Sequence, residues 1–159
     1  MIMQSEFKST NPPIDEVVLD TFQNEWGSIL PQCYRDFLLQ NNGGRPAKSV
    51  FPIAGFSEGS FGSIQVFFGL NTVVKTSDLN WAIKNRIPPF PAGLLEIACT
   101  DGSDLVCIDT KSESVPVFFL DYRPSWGNGI WRPEALYFVA ASFSEFLSKL
   151  EPKKKKQAP

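Results

Sequence analysis

Leu30-Pro31-Gln32-Cys33-Tyr34-Arg35-Asp36-Phe37-Leu38-Leu39-Gln40-Asn41-Asn42-Gly43-Gly44 sets a helix start, an apolar face and a stop in one short run. A proline in the first turn lacks only an amide hydrogen that a helix leaves unpaired there. Tyr34, Phe37 and Leu38 fall three and four residues apart, which places them on one face. Asn42-Gly43-Gly44 offers residues that take the left-handed stop conformation. Upstream, Asn11-Pro12-Pro13 introduces a pattern in which Ile14, Val18, Phe22 and Trp26 recur every four residues, and Gly27 closes it. The two predicted helices make an αα-hairpin.

Downstream, the pattern turns to short extended segments between glycines and prolines. Ser49–Ile53 and Ser63–Phe68 are predicted strands around a loop at Phe56–Gly62. Thr76 or Ser77 is placed to cap a third helix carrying Leu79, Ile83 and Ile87, and Pro88-Pro89-Phe90-Pro91 ends it. Leu94–Cys99 and Leu105–Ile108 are apolar strands joined through Asp101-Gly102-Ser103-Asp104, a strong hairpin signal. Val115–Tyr122 and Ala135–Ala140 add two more. Ser142 opens a last helix, with Glu145 three residues on as a capping box and Phe143, Phe146, Leu147 and Leu150 facing inward. Tight loops join antiparallel neighbours, whereas parallel ones need long crossovers. The expected fold class is therefore α+β: an N-terminal helical hairpin, a largely antiparallel curled β-sheet and a C-terminal helix packed on the sheet. Residues 14–150 are read as a single domain, 1–13 as an N-terminal extension and 151–159 as a disordered lysine-rich tail.

A chain of 159 residues suits one core, and its 14 Phe and four Trp are mostly core material. The formal charge of −2 hides an asymmetry, because four of the 15 basic residues are Lys153–Lys156 and one of the 17 acidic ones is Glu151; residues 1–150 carry −5. A mildly acidic body argues against direct binding of nucleic acid, where affinity comes from neutralising phosphates, and suits a basic partner. There is no histidine, which removes the commonest general base near neutral pH and the commonest zinc ligand. Cys33, Cys99 and Cys107 lack C-x-x-C spacing and are odd in number, as for reduced thiols in a cytoplasmic protein; a Cys99–Cys107 bridge across the hairpin is the alternative. No apolar run approaches the roughly 20 residues of a membrane helix, and Met1–Glu6 lacks a signal-peptide layout.

Asp101, Asp104 and Asp109 invite a calcium or catalytic reading, but their spacing matches no calcium loop. The preferred reading has Asp101 and Asp104 bonding the backbone of their own turn and Asp109 ending a strand. Glu58, Asp101 and Asp121 offer carboxylates for a hydrolase, yet no spacing selects a pair. No catalytic residue, metal site or cofactor is assigned. The segment Asp121–Pro133 sets Tyr122, Trp126 and Trp131 beside Arg123 and Arg132 in a glycine-rich loop, and aromatic and arginine anchors on loops are the usual strong contacts of interfaces. Equally, Trp126 and Trp131 can fold back over a sheet edge, and a stack on a sugar or base is a third reading. With two residues of the earlier loop, the candidate partner-binding set is Glu58, Phe61, Asp121, Tyr122, Arg123, Trp126, Trp131 and Arg132. Trp26 and Trp81 sit in helical patterns and are read as core. Gly43-Gly44 lacks the Lys-Ser or Lys-Thr of a phosphate loop and is read as a helix stop.

Four segments recur in a familiar order: the helix ending Glu25-Trp26-Gly27; Leu30-Pro31 through Tyr34, Phe37 and Asn42-Gly43-Gly44; the hairpin Ala98–Asp109; and Val139–Leu147. Together they resemble the SUKH superfamily, the Smi/Knr-type domain of bacterial immunity proteins and of eukaryotic regulators of cell-wall synthesis. The resemblance implies a cytoplasmic, non-enzymatic protein that binds and neutralises a toxin domain, often a nuclease or nucleotide-modifying enzyme. An intracellular scaffold in cell-wall synthesis is the alternative, and a carboxylate-dependent hydrolase the third. The expected partner is a basic protein toxin domain, with no nucleic acid and no membrane, and the expected state is a monomer or weak homodimer.

Overall fold

The computed structural model describes residues 7–9, 11–54, 61–86, 90–121 and 135–154. Helix α1 (Glu16–Trp26) is capped by Asp15, whose carboxylate accepts the Val18 N–H at 3.1 Å, so the two prolines precede the cap rather than occupy the first turn. Left-handed Gly27 closes it. Phe22 is buried as the pattern requires, but the deepest residue is Leu19, with Val18 and Trp26 half-buried beside it. In α2 (Gln32–Gln40) Tyr34, Phe37 and Leu38 are all buried. Arg35 straps the two helices, reaching Glu16 and, at 2.8 Å, Asp20, while Gln23 Oε1 accepts the Leu30 N–H at 2.9 Å in the connection.

The glycine pair after α2 has a different purpose from the expected helix stop. The residue that follows the helix, Asn41, is extended at φ −137°. Gly43 and Gly44, at φ 72° and 115°, instead carry the chain across the end of a strand. A Cβ on Gly43 would lie 2.5 Å from the Phe67 carbonyl oxygen, and Gly44 exchanges backbone hydrogen bonds with Phe67 at 3.0 and 2.9 Å. Between them and the helix, the buried Asn42 side chain accepts from Leu70 N–H (2.8 Å) and donates to the carbonyls of Leu70 (2.6 Å) and Pro12 (2.9 Å). One side chain thus satisfies both backbone groups of a residue with no strand partner there.

Strands β1 (Phe7–Ser9) and β2 (Arg45–Pro46) form a small antiparallel pair. The main sheet has six strands, β3 (Val50–Pro52), β4 (Phe61–Phe67), β5 (Leu94–Thr100), β6 (Leu105–Asp109), β7 (Val117–Leu120) and β8 (Leu136–Ala140), each hydrogen-bonded antiparallel to the next in the chain. Register shifts within the β4/β5, β5/β6 and β7/β8 pairs mark irregularities that bend strands and add twist, and the sheet is curled, as expected. Strand β7 starts later than predicted because Val115 sits at φ 55°, outside extended geometry. Helix α3 (Leu79–Lys84) follows a 3-10 turn at Lys75–Ser77 and is capped by Asp78, which accepts the Asn80 N–H at 2.8 Å, not by Thr76 or Ser77. Helix α4 (Phe143–Lys149) has the predicted cap: Ser142 Oγ accepts Glu145 N–H at 3.1 Å, and Glu145 Oε2 accepts Ala141 N–H at 2.8 Å.

Phe67, Ala98, Val106 and Phe119 form one cross-strand row. On this face α2 and α4 bring Phe37 (5.2 Å from Phe67) and Phe143 (5.4 Å from Phe37, edge-on), and Phe51 meets Phe146 edge-on at 5.4 Å. Phe7 on β1 joins them, 6.0 Å from both Phe37 and Phe67. Past α4 the chain stays attached, because Glu151 exchanges backbone hydrogen bonds with Val50 at 2.9 Å and covers the outer edge of β3. Among the described residues, no helix is long and apolar enough to cross a membrane.

Candidate partner-binding surface

The register decides what meets at the ends of the sheet. Ile64 pairs with Thr100, Leu105 with Leu120, and Leu120 with Leu136. The start of β4, the β5–β6 turn, the end of β7 and the start of β8 therefore share one end. The turn itself is closed by Thr100 N–H to Asp104 O (2.9 Å), Ser103 N–H to Thr100 O (3.0 Å) and Asp104 N–H to Thr100 Oγ1 (3.1 Å). Ser103, at φ 66°, holds the left-handed position, which makes a three-residue hairpin loop. Asp101 departs from the turn reading: its N–H donates to Ser63 O at 3.0 Å and its carboxylate accepts from Lys153 Nζ at 2.6 Å. Asp109 does end its strand, accepting the Lys111 N–H at 3.0 Å.

Phe61 lies at this end, 65% exposed at the head of β4. With Thr100, Asp101, Asp104 and Phe119 it lines a cleft of about 230 Å³. Asp121 reaches the same end, where it is 5% exposed and its N–H donates to Ala135 O at 2.9 Å. Asp104, one step beyond the Leu105–Leu120 pair, is 8% exposed. Glu58, Tyr122, Arg123, Trp126, Trp131 and Arg132 lie outside the described residues. The segments that carry them leave from Ala54 and Asp121 and return at Phe61 and Ala135, which are junctions at or next to this end.

The sequence reading missed a buried polar cluster elsewhere. Glu96, wholly buried on β5, is held by Arg86, through Nε at 3.1 Å and through Nη2, and the guanidinium lies 4.1 Å from the centre of the Phe90 ring. The signal was a single carboxylate inside the apolar run Leu94–Cys99, since charges are almost never fully buried unpaired. Nearby, the Tyr34 hydroxyl is buried with no hydrogen-bond partner among the described residues, and burial followed by the Glu96 charge drives its acidity far down. Burial, then Glu96, also pushes the Cys107 thiol up, with Arg86 opposing. Burial raises Cys33 and Cys99 as well. Cys107 pairs across the ladder with Glu96, and Cys99 with Leu105, so this register does not set the two sulfurs opposite each other; all three thiols are free. Trp26 packs on the core and lines a cleft of about 590 Å³, and Trp81, also half-buried, lines another of about 490 Å³ with Val66, Phe68 and Leu105. No group of three Cys, Asp or Glu side chains able to hold a metal ion occurs among the described residues.

Together these features define a curled antiparallel sheet under helices, with an exposed aromatic and an acidic turn at one end. The chain belongs to the SMI1/KNR4 family (SUKH-1), whose model matches residues 13–149. No curated protein and no solved structure matches it significantly.

Proposed function

We propose that this SUKH-1 protein is a non-enzymatic immunity protein that binds and neutralises a basic toxin domain, a nuclease or nucleotide-modifying enzyme, in the cytoplasm. The observation that carries the reading is the convergence at one sheet end: exposed Phe61, the Asp101 turn, and the junctions of the two segments rich in aromatic and charged residues. Loops on a rigid sheet are where recognition residues concentrate. The net negative body speeds encounter with a basic surface, and a buried ring slows release.

Co-expression with the toxin encoded beside this gene tests it. Rescue of growth is expected, together with a complex of purified proteins that Phe61→Ala weakens by roughly tenfold, the loss of one good aromatic anchor. Absence of both rescue and binding overturns the reading.

A further inference from the structure

Lys153 is an occupant of the surface just described. We infer that the lysine segment beginning at Lys153 is a built-in competitor for the Asp101 turn, which a basic partner must displace; the inference rests on that turn being the docking end. Two observations carry it. Glu151 is fixed to β3 through three backbone hydrogen bonds of 2.9 to 3.0 Å with Ser49 and Val50, and Lys153, two residues on, places its ammonium 2.6 Å from the Asp101 carboxylate. Pro152 and Lys153 also line a cleft of about 360 Å³ with Arg45, Gln65 and Asp101, so Asp101 borders both this cleft and that of Phe61.

A two-residue tether limits the wandering of Lys153 to about 7 Å, which gives its ammonium a high effective concentration at Asp101. The pair nevertheless stays exchangeable. Its side chains are 61% and 46% exposed, and ion pairs in that environment are weak and screened by salt. Lys154–Lys156 follow in the sequence and add to the positive charge of the segment. A partner presenting several lysines or arginines can therefore exchange with the segment charge for charge, while an uncharged protein surface gains nothing by displacing it. The device favours basic partners and tempers their affinity.

The test uses fluorescein-labelled octa-lysine as the probe, in fluorescence anisotropy at low salt, with four proteins: the full chain, the chain ending at Pro152, Asp101→Asn, and the two changes combined. Ending the chain at Pro152 keeps the Glu151 pairing. Shortening should tighten peptide binding two- to fivefold in the parent, with the gain fading as salt rises, and the gain should fall by at least half in the Asp101→Asn background. An equal gain in both backgrounds would be a net-charge effect and would overturn the inference, as would no gain, or no peptide binding by any of the four. Amide spectra of the parent and of Lys153→Gln supply a second reading: shifts centred on Asp101–Asp104 are expected, and their absence counts against it. Failure of toxin rescue with these signatures intact sinks the immunity reading alone; rescue without them sinks the competitor alone.

Discussion

Two ion pairs of similar chemistry occupy opposite environments in this molecule. Arg86–Glu96 joins the segment after α3 to β5, with side chains 20% and 1% exposed, two nitrogens engaged and a phenyl ring covering the guanidinium. Lys153–Asp101 joins the chain beyond α4 to a hairpin tip, with 61% and 46% exposure and a single contact. Desolvation makes the difference. Deep charges have lost water and depend on each other, whereas exposed ones trade partners at little cost. The first pair belongs to the scaffold. The second sits where the molecule can exchange one cation for another.

The comparison breaks most easily at the buried pair. Arg86→Ala strands a carboxylate that is wholly buried, and leaving a buried charge without its partner costs about 3 to 5 kcal/mol. Glu96→Gln should cost less, because the partly exposed guanidinium still reaches water. Urea unfolding of both variants checks the order. Equal losses, or a loss from Arg86→Ala below about 1 kcal/mol, the scale of an exposed pair, would mean that the two environments do not differ as described.

A neutral counterpart to the buried pair is Asn42. Its side chain bonds both backbone groups of Leu70 and the Pro12 carbonyl while 3% exposed, so Asn42→Ala leaves buried donors and acceptors unmet. The expected loss is about 2 to 3 kcal/mol, below that of Arg86→Ala, measured by the same unfolding. An effect larger than the charged substitution would make polar satisfaction, rather than charge, the main support of the interior.

What could be read from the sequence was what neighbouring residues decide. The faces of α2 and α4, the Ser142–Glu145 cap and the 94–108 hairpin depend on spacings of a few residues, and all are present. Contacts between distant segments were silent. Phe7 enters the aromatic core by packing on Phe67, and nothing near Phe7 announces it. Gly43 looked like a helix stop because its local pattern is one, while its real constraint is the carbonyl of Phe67. Asp101 was assigned to its own turn, whereas its cation lies 52 residues away. At the candidate surface, composition marked Phe61 and Asp121 equally, and only the folded chain separates their exposures, 65% and 5%. Trp26 and Trp81, both read as core, are each half-buried and border a cleft.

The smallest expected effect concerns a third pair, Lys149–Glu145, 2.9 Å long and one turn apart on α4. It is exposed like Lys153–Asp101 but tied to a helix cap. The Lys149 ammonium, and then the Ala141 N–H, hold the Glu145 carboxyl below its ordinary value of 4.5. A carboxyl depressed in the folded state stabilises above its unfolded value, and that contribution disappears as pH falls through the folded one. Glu145→Gln keeps an acceptor for the Ala141 N–H and removes only the charge. Its thermal midpoint should fall slightly below that of the parent at neutral pH, and the difference should close as pH falls through the depressed value of this carboxyl. A difference that persists in acid would show that the cap geometry, rather than the charge, carries the contribution, and would move this pair toward the fixed class that Arg86–Glu96 represents.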